Sequence, residues 1–549
     1  MTDTVETLAE EYFDALLAED PTWAHMLSEY SYAGQFADGS RAAEDATIAA
    51  MRGFAARADA APVGDLDEQQ RITLSVLSAN AAARADLLEG RLHELGADPI
   101  FGEQTSLPLV VGMLAIPDAE VAEAMLSKLN AIGEYFGDLA QRHREGVASG
   151  RTPAEFAVRG TIEQLEAALA VPADEDPLLA AMKLPDDVDD DLRPTLVEVI
   201  SSSVRPGMTA YRDVLRDEVL PHARPDNKCG LSWLTDGADT YDRTLRYFTT
   251  TTLSAKEIHD IGLSQIASLA DEYRALGPSV VGTDDLAGIF AAMRSDPQLH
   301  FTNGEEIVTA AELAMARAEA VMPAWFEVLP KAPCGVESTI TGAKAFYFPP
   351  AADGSRGGTF FVNVADASAW GTFELEALAF HEGIPGHHLQ LSVSAELEGV
   401  PEFRKHVHNA AYAEGWGLYS ERLADEMGLY TTDADRMGML SADSLRACRL
   451  VVDTGLHALG WSRQQAVEYM ISNSPMTEAI VRPEVDRYIV SPGQATSYMV
   501  GRLEIQRIRR EAERRQGSSF SVRAFHSAVL DSGSLPLGVL DSVVRTRLP

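Results

Sequence analysis

Apolar side chains recur at three- and four-residue spacing, separated by Ala, Glu and Arg, over Val5–Leu17, Asp67–Leu95, Asp118–Gly146 and Ala255–Leu276. That period places them on one stripe of a helix, and the residues between are strong helix formers. Long antiparallel helices follow. The Pro- and Asp-rich stretch Val171–Pro194, with Asp186, Asp187, Asp189, Asp190 and Asp191, has too few apolar residues for a core and is read as a solvated linker or helix start. A calcium loop is the alternative, but the EF-hand spacing and its glycine are missing. Composition turns toward Pro, Asp, Gly and Lys over Pro221–Gly237, which divides the chain into an N-terminal helical lobe, 1–225, and a C-terminal lobe, 226–549. One stretch abandons the helical period. Pro349-Pro350 and the turn-like Asp353-Gly354-Ser355-Arg356-Gly357-Gly358 lead into Thr359-Phe360-Phe361-Val362-Asn363-Val364, a β-branched and aromatic run that predicts a strand. Such a strand either belongs to an ordinary small sheet or pairs with the backbone of an extended peptide. Ala367–Gln390 then returns to helix. The predicted fold is mainly α: two helical lobes around a deep cleft, with a small β-sheet at the cleft edge.

Size and charge narrow the possibilities. At 549 residues the chain exceeds the length at which one core usually stops growing. With 83 acidic against 45 basic side chains, the formal charge of −38 repels phosphate backbones and anionic membranes, so neither nucleic acid nor membrane is expected as a partner. Cys229, Cys334 and Cys448 lie far apart without Cys-x-x-Cys spacing, which argues for buried, reduced thiols rather than disulfides or a thiolate metal site. Acids stand near the start where a signal peptide would be basic, and no apolar run approaches bilayer length, so a cytoplasmic protein is expected.

Chemical groups are densest in His381-Glu382-Gly383-Ile384-Pro385-Gly386-His387-His388. In the zinc-protease pattern His-Glu-x-x-His, two histidines four apart share a helix face and the Glu is aimed at the water. Here the second histidine position is Pro385, so either the likeness is accidental or Pro385-Gly386 is an insertion within the helix. Pro385 has no N–H and clashes with the carbonyl of His381, which predicts a kink or bulge. On a straight helix His381 and His387 would stand about 9 Å apart along the axis, and the bulge must restore their convergence. His381 and His387 are taken as metal ligands, with His388 as the substitute for the second. A catalytic zinc uses three protein ligands and leaves one position for water. The third is sought in the helix over His406–Glu421, where Ala413, Gly415 and Gly417 allow close approach: Glu414 is chosen, and Glu421, one heptad on, is a ligand or a hydrogen-bond partner of a ligating histidine. His406 and His408 are given surface or packing roles, and Asp425 an exposed pairing with Arg422.

His381–Gln390, Glu414-Gly415-Trp416, Arg449–His457 and Pro492–Tyr498, together with Glu257-Ile258-His259, resemble the bacterial "domain of unknown function 885" family over most of the chain. The resemblance implies a metallopeptidase-like, zincin-like helical fold, related in outline to thimet oligopeptidase and the thermostable carboxypeptidases, with the metal helix altered by the Pro-Gly insertion. In those relatives the third ligand is a Glu about two dozen residues beyond the second histidine, a spacing Glu414 satisfies.

The expected activity is hydrolysis of small peptides with one zinc ion per chain, Glu382 acting as base and Tyr498 donating to the oxyanion. Tyr488 and His457 are further candidates for contact with substrate. Arg487 either grips a terminal carboxylate or forms a structural ion pair with Asp486 or Glu484. Two rivals stay open: hydrolysis of a non-peptide amide or ester, and a helical binding or scaffold protein in which Pro385 has abolished metal binding.

Overall fold

The computed structural model describes residues 4–186, 188–350 and 356–549. Asp187 of the acidic stretch and Asp353-Gly354-Ser355 of the expected turn lie outside the described residues. The protein is mainly helical. The four long helices read from the apolar period are present as Val5–Glu19 (α1), Glu68–Glu89 (α3), Ala119–Ser149 (α4) and Ala255–Val280 (α5), and Arg41–Ala60 (α2) pairs with α3. Their starts are set by side-chain caps. The Thr4 hydroxyl accepts from the Thr7 N–H, and Asp67 with Gln70 and Ser254 with Glu257 form reciprocal capping boxes.

Apolar packing does not follow the order of the chain. One cluster gathers Leu107, Met125, Phe136, Ile162 and Val214 within residues 33–219. Another joins Leu8, Tyr12, Phe54 and Leu77 of α1–α3 to Phe380, Trp416, Phe525 and Leu540 near the other end of the sequence. Among the described residues no helix is long and apolar enough to cross a membrane.

The sheet has three strands, Cys334–Thr339 (β1), Ala345–Phe348 (β2) and Gly358–Asn363 (β3), in the order β1-β3-β2. β3 is the strand read from the sequence. It is parallel to β1, with Val336 opposite Phe360, and antiparallel to β2, with Phe346 opposite Phe361. Both edges of β3 are therefore occupied, and it cannot add a peptide strand. β2 is an edge strand, and its Ala345, Phe346 and Tyr347 form part of the wall of a cavity.

Four helices complete the frame of the site: Ala410–Glu426 (α8), Asp433–His457 (α9), Glu478–Val490 (α10) and Ser497–Gln516 (α11), preceded by Glu374–Glu382 (α6) and His387–Ala395 (α7). Every residue of α9 from Met437 to His457 except Leu445 is buried. A helix buried on all sides is usually apolar throughout. This one carries Asp443, Arg446, Arg449, Asp453 and His457, each of which must find partners inside the protein.

Candidate metal centre

The region expected to form one kinked helix is two separate helices: α6 ends at Glu382, α7 begins at His387, and Gly383–Gly386 joins them. The break has a local cause and a tertiary one. Pro385 supplies no N–H to continue the ladder, and Gly386 passes so close to α6 that a Cβ there would lie 1.9 Å from the His381 carbonyl oxygen. From α8, Trp416 Nε1 and Ser420 Oγ donate to the Pro385 carbonyl at 2.9 and 3.2 Å, fixing the connection. The chain reverses enough to bring the His381 and His387 rings to 4.8 Å between centroids, nearly perpendicular to one another.

α8 presents Glu414, Gly417 and Glu421 on one face, as spacings of three and four require. Gly417 lies directly against His381, where a Cβ would stand 2.7 Å from the imidazole Cε1. Gly415 serves a different contact: it faces Gly501 of α11, where a Cβ would meet the Gly501 carbonyl carbon at 2.5 Å. Glu414 Oε2 lies 3.6 Å from His381 Nε2 and 3.5 Å from His387 Nε2. One ligand atom from each of the three residues falls within 4.8 Å of the others. Glu421, fully buried, holds His381 Nδ1 at 2.7 Å and so turns Nε2 toward Glu414. His387 Nδ1 is buried without a hydrogen-bond partner.

Electrostatics concentrate on the same atoms. Burial alone would lower the His381 pKa, but the Glu414 and Glu421 carboxylates outweigh it and raise it to about 9. The Glu414 carboxyl, although buried, is held well below the usual carboxylate range by the two histidines. The three groups thus form a compact site of two imidazoles and one carboxylate, a donor set suited to a divalent ion of the zinc type. His388 is not part of it: its Nδ1 accepts from the Tyr347 hydroxyl at 2.8 Å and its Nε2 donates to the Ala332 carbonyl at 3.0 Å. A neutral imidazole has one donor and one acceptor, and both are used.

Glu382 lies beside the triad on the wall of a cavity of about 750 Å³. Burial pushes its carboxyl up, against the pull of His387 and His381. Tyr498 lines the same cavity and is close enough to Glu414 for that carboxylate to help burial raise its pKa.

The residues expected to contact substrate separate into two groups. Arg487 reaches the cavity wall, but Gln494 accepts from its Nη1 at 2.5 Å and Glu484 from its Nη2 at 3.0 Å. His457 and Tyr488 are engaged elsewhere, contrary to expectation. His457 Nδ1 accepts from the Leu231 N–H at 3.1 Å and Nε2 donates to the Tyr488 carbonyl at 2.9 Å, and burial lowers its pKa to about 3. The Tyr488 hydroxyl donates to Glu484 at 2.5 Å and accepts from Arg449 Nε at 3.0 Å. Asp425 pairs with Arg436 at 2.8 Å rather than with Arg422, which is bound to Asp443 and Glu272.

The family model described as "Bacterial protein of unknown function (DUF885)" matches residues 21–544. The chain belongs to this family. In structure it is similar to the "putative lipoprotein" from Colwellia psychrerythraea, with a TM-score of 0.90 at 24% identity and all of both chains covered. It is also similar to a "putative lipoprotein of unknown function" from Shewanella oneidensis, with a TM-score of 0.78 at 18% identity, covering 99% of this chain and 100% of that one. No curated protein sequence matches. At these identities the likeness establishes the fold.

In this DUF885 member Arg446, not anticipated from the sequence, enters the cavity from α9 with Arg449. A signal for them existed: two arginines three apart share a face of a helix whose other positions are mostly apolar or small. His408, assigned a surface or packing role, borders the cavity and senses Glu414 and His387. Nothing in the sequence indicated that Trp416 and Ser420 would grip Pro385.

Proposed function

We propose that this chain is a zinc-dependent peptidase acting on small peptides, with a zincin-like arrangement in which the two helical lobes flank the cleft. The observation that carries this reading is the convergence of one ligand atom each from His381, His387 and Glu414 within 4.8 Å, at the wall of a cavity of about 750 Å³ that also receives Glu382. A cavity of that size suits a short peptide or another small molecule.

His381, His387 and Glu414 would hold the ion, and Glu421 would fix the His381 ring. When bound, zinc lowers the pKa of a water and polarises a carbonyl oxygen. Glu382 takes the proton from the attacking water on a carboxylate oxygen and delivers it to the departing amine nitrogen. Burial raises its carboxyl pKa, which strengthens it as a proton acceptor. Tyr498 donates its hydroxyl hydrogen to the oxygen on which negative charge develops. The free edge of β2, along Ala345–Tyr347, offers backbone groups to an extended substrate. Cytoplasmic residence is part of the proposal: the three cysteines are unpaired, which suits a reducing compartment. The lipoprotein descriptions of both structural neighbours point elsewhere.

Glu382→Gln separates chemistry from metal binding. Zinc-loaded wild type should cleave peptides in a short-peptide mixture, whereas Glu382→Gln should keep its zinc and lose about 10²–10⁴-fold in kcat. Undiminished hydrolysis by Glu382→Gln would refute the assigned base.

A further inference from the structure

Fixed positive charge gathers close to the triad. Arg446 and Arg449 of α9 and Arg487 of α10 all line the cavity that contains His381, Glu382 and His387. Arg487 is bound to Gln494 and Glu484, as described above. Arg449 gives Nε to the Tyr488 hydroxyl at 3.0 Å and Nη2 to Glu484 at 2.9 Å. Arg446 gives Nη1 to the Ala442 carbonyl at 3.3 Å, and its Nη2 stands 3.6 Å from Glu421 Oε1. Three guanidiniums thus share two carboxylates, and one of these, Glu421, is already committed to His381.

Two donors remain. Arg449 Nη1 and Arg446 Nε are buried with no hydrogen-bond partner, on side chains that are each more than nine-tenths buried, the residues being 7% exposed. A guanidinium cannot relieve this by losing its proton. Both arginines flank one aromatic ring: the Arg449 guanidinium carbon lies 4.5 Å and that of Arg446 6.0 Å from the Tyr498 ring centroid. The pair therefore stands beside the residue assigned to the oxyanion, and Arg446 reaches the metal ligand His381 through a single intervening carboxylate, Glu421.

The cavity lining thus combines the Glu382 and Glu414 carboxyls with two guanidiniums, those of Arg446 and Arg449, that each keep an unpaired buried donor. A ligand that satisfies both sets of groups carries an anion with two acceptor oxygens close to a neutral amide. We propose that Arg446 and Arg449 form a carboxylate-recognition subsite that takes the free C-terminal α-carboxylate of a short peptide, so that cleavage occurs next to that terminus. Placing the amide at the triad rests on the peptidase reading; capture of the carboxylate does not. Arg487, the residue singled out by its sequence position, then serves to hold Glu484 rather than the substrate.

The experiment is calorimetric binding to the full chain of N-acetyl-alanyl-phenylalanine and of the same peptide as its C-terminal amide. It is run on metal-free protein and on zinc-treated Glu382→Gln protein, which prevents turnover. The expected result is that the acid binds at least about tenfold more tightly than the amide in both preparations, and that Arg449→Gln and Arg446→Gln reduce the ratio to near one. Arg449→Lys, which keeps the charge but loses the fork, should retain part of the preference and guards against a variant that is merely misfolded. Acid and amide binding within about twofold in the wild-type cavity, or no binding of either, would overturn the subsite. A persistent preference in protein that never takes up zinc would support the subsite while rejecting the peptidase reading. Zinc uptake without any preference would do the reverse.

Discussion

Asp453 shows how burial on α9 changes a single ionisation. Its carboxylate accepts from the Tyr241 hydroxyl at 2.5 Å and from the Gly493 N–H at 3.0 Å, yet burial outweighs both and raises its pKa to about 7. In the unfolded chain it would titrate near 4. The folded protein therefore holds this proton more tightly, and the resulting stabilisation is complete below pH about 4 and lost as pH rises through 7. Asp453→Asn keeps an acceptor for Tyr241 without the charge. Its melting temperature should exceed that of wild type by a few degrees at pH 8, with the gain vanishing near pH 4, as thermal denaturation at the two pH values would show. A gain equal at both would contradict the assignment. At this scale the sequence was a good guide to which residues carry chemistry and a poor one to their partners. His387 and His388 are adjacent and identical in kind; only the Tyr347 hydroxyl and the Ala332 carbonyl, 41 and 56 residues away, distinguish them.

Among the elements, helix starts were legible because caps are local: Thr4, Asp67 and Ser254 mark them within a residue. The break between α6 and α7 was half legible. Pro385 announces a disturbance but is compatible with a kink, a bulge or a stop, and the choice is made by Trp416 and Ser420 on a helix some 30 residues later. Close approach of α8 depends on glycines whose roles differ, and substitution separates them. A Cβ at Gly417 would push the His381 ring, so Gly417→Ala should lower zinc affinity markedly with a smaller loss of stability. At Gly501 a Cβ would meet the Ala411 carbonyl oxygen at 1.8 Å, so Gly501→Ala should part α8 from α11 and cost about 1–3 kcal/mol or more. Gly538→Ala, with nothing within 4 Å, is the control. Zinc titrations and melting curves on the three variants test this ordering, and Gly417→Ala with wild-type zinc affinity would refute it.

For the whole molecule, the mainly helical class and the small sheet followed from apolar period and β-branched runs, but the assembly of cores did not. Periodicity tells which face of α1 or α3 is apolar, not that Leu8 and Leu77 will share a core with Phe380 and Leu540. Net charge is equally silent on local charge. The chain carries −38, yet the lining of the cavity at the candidate centre includes Arg446, Arg449 and Arg487 beside Glu382 and Glu414. The proposed chemistry depends on one ion being held between α6, α7 and α8. Elemental analysis of purified wild type, His387→Ala and His388→Ala, each confirmed folded by circular dichroism, tests this directly. The prediction is about one zinc per chain in wild type and in His388→Ala, and its loss in His387→Ala. Wild type that stays free of metal after zinc is supplied, or zinc retained by His387→Ala and lost from His388→Ala, would contradict it.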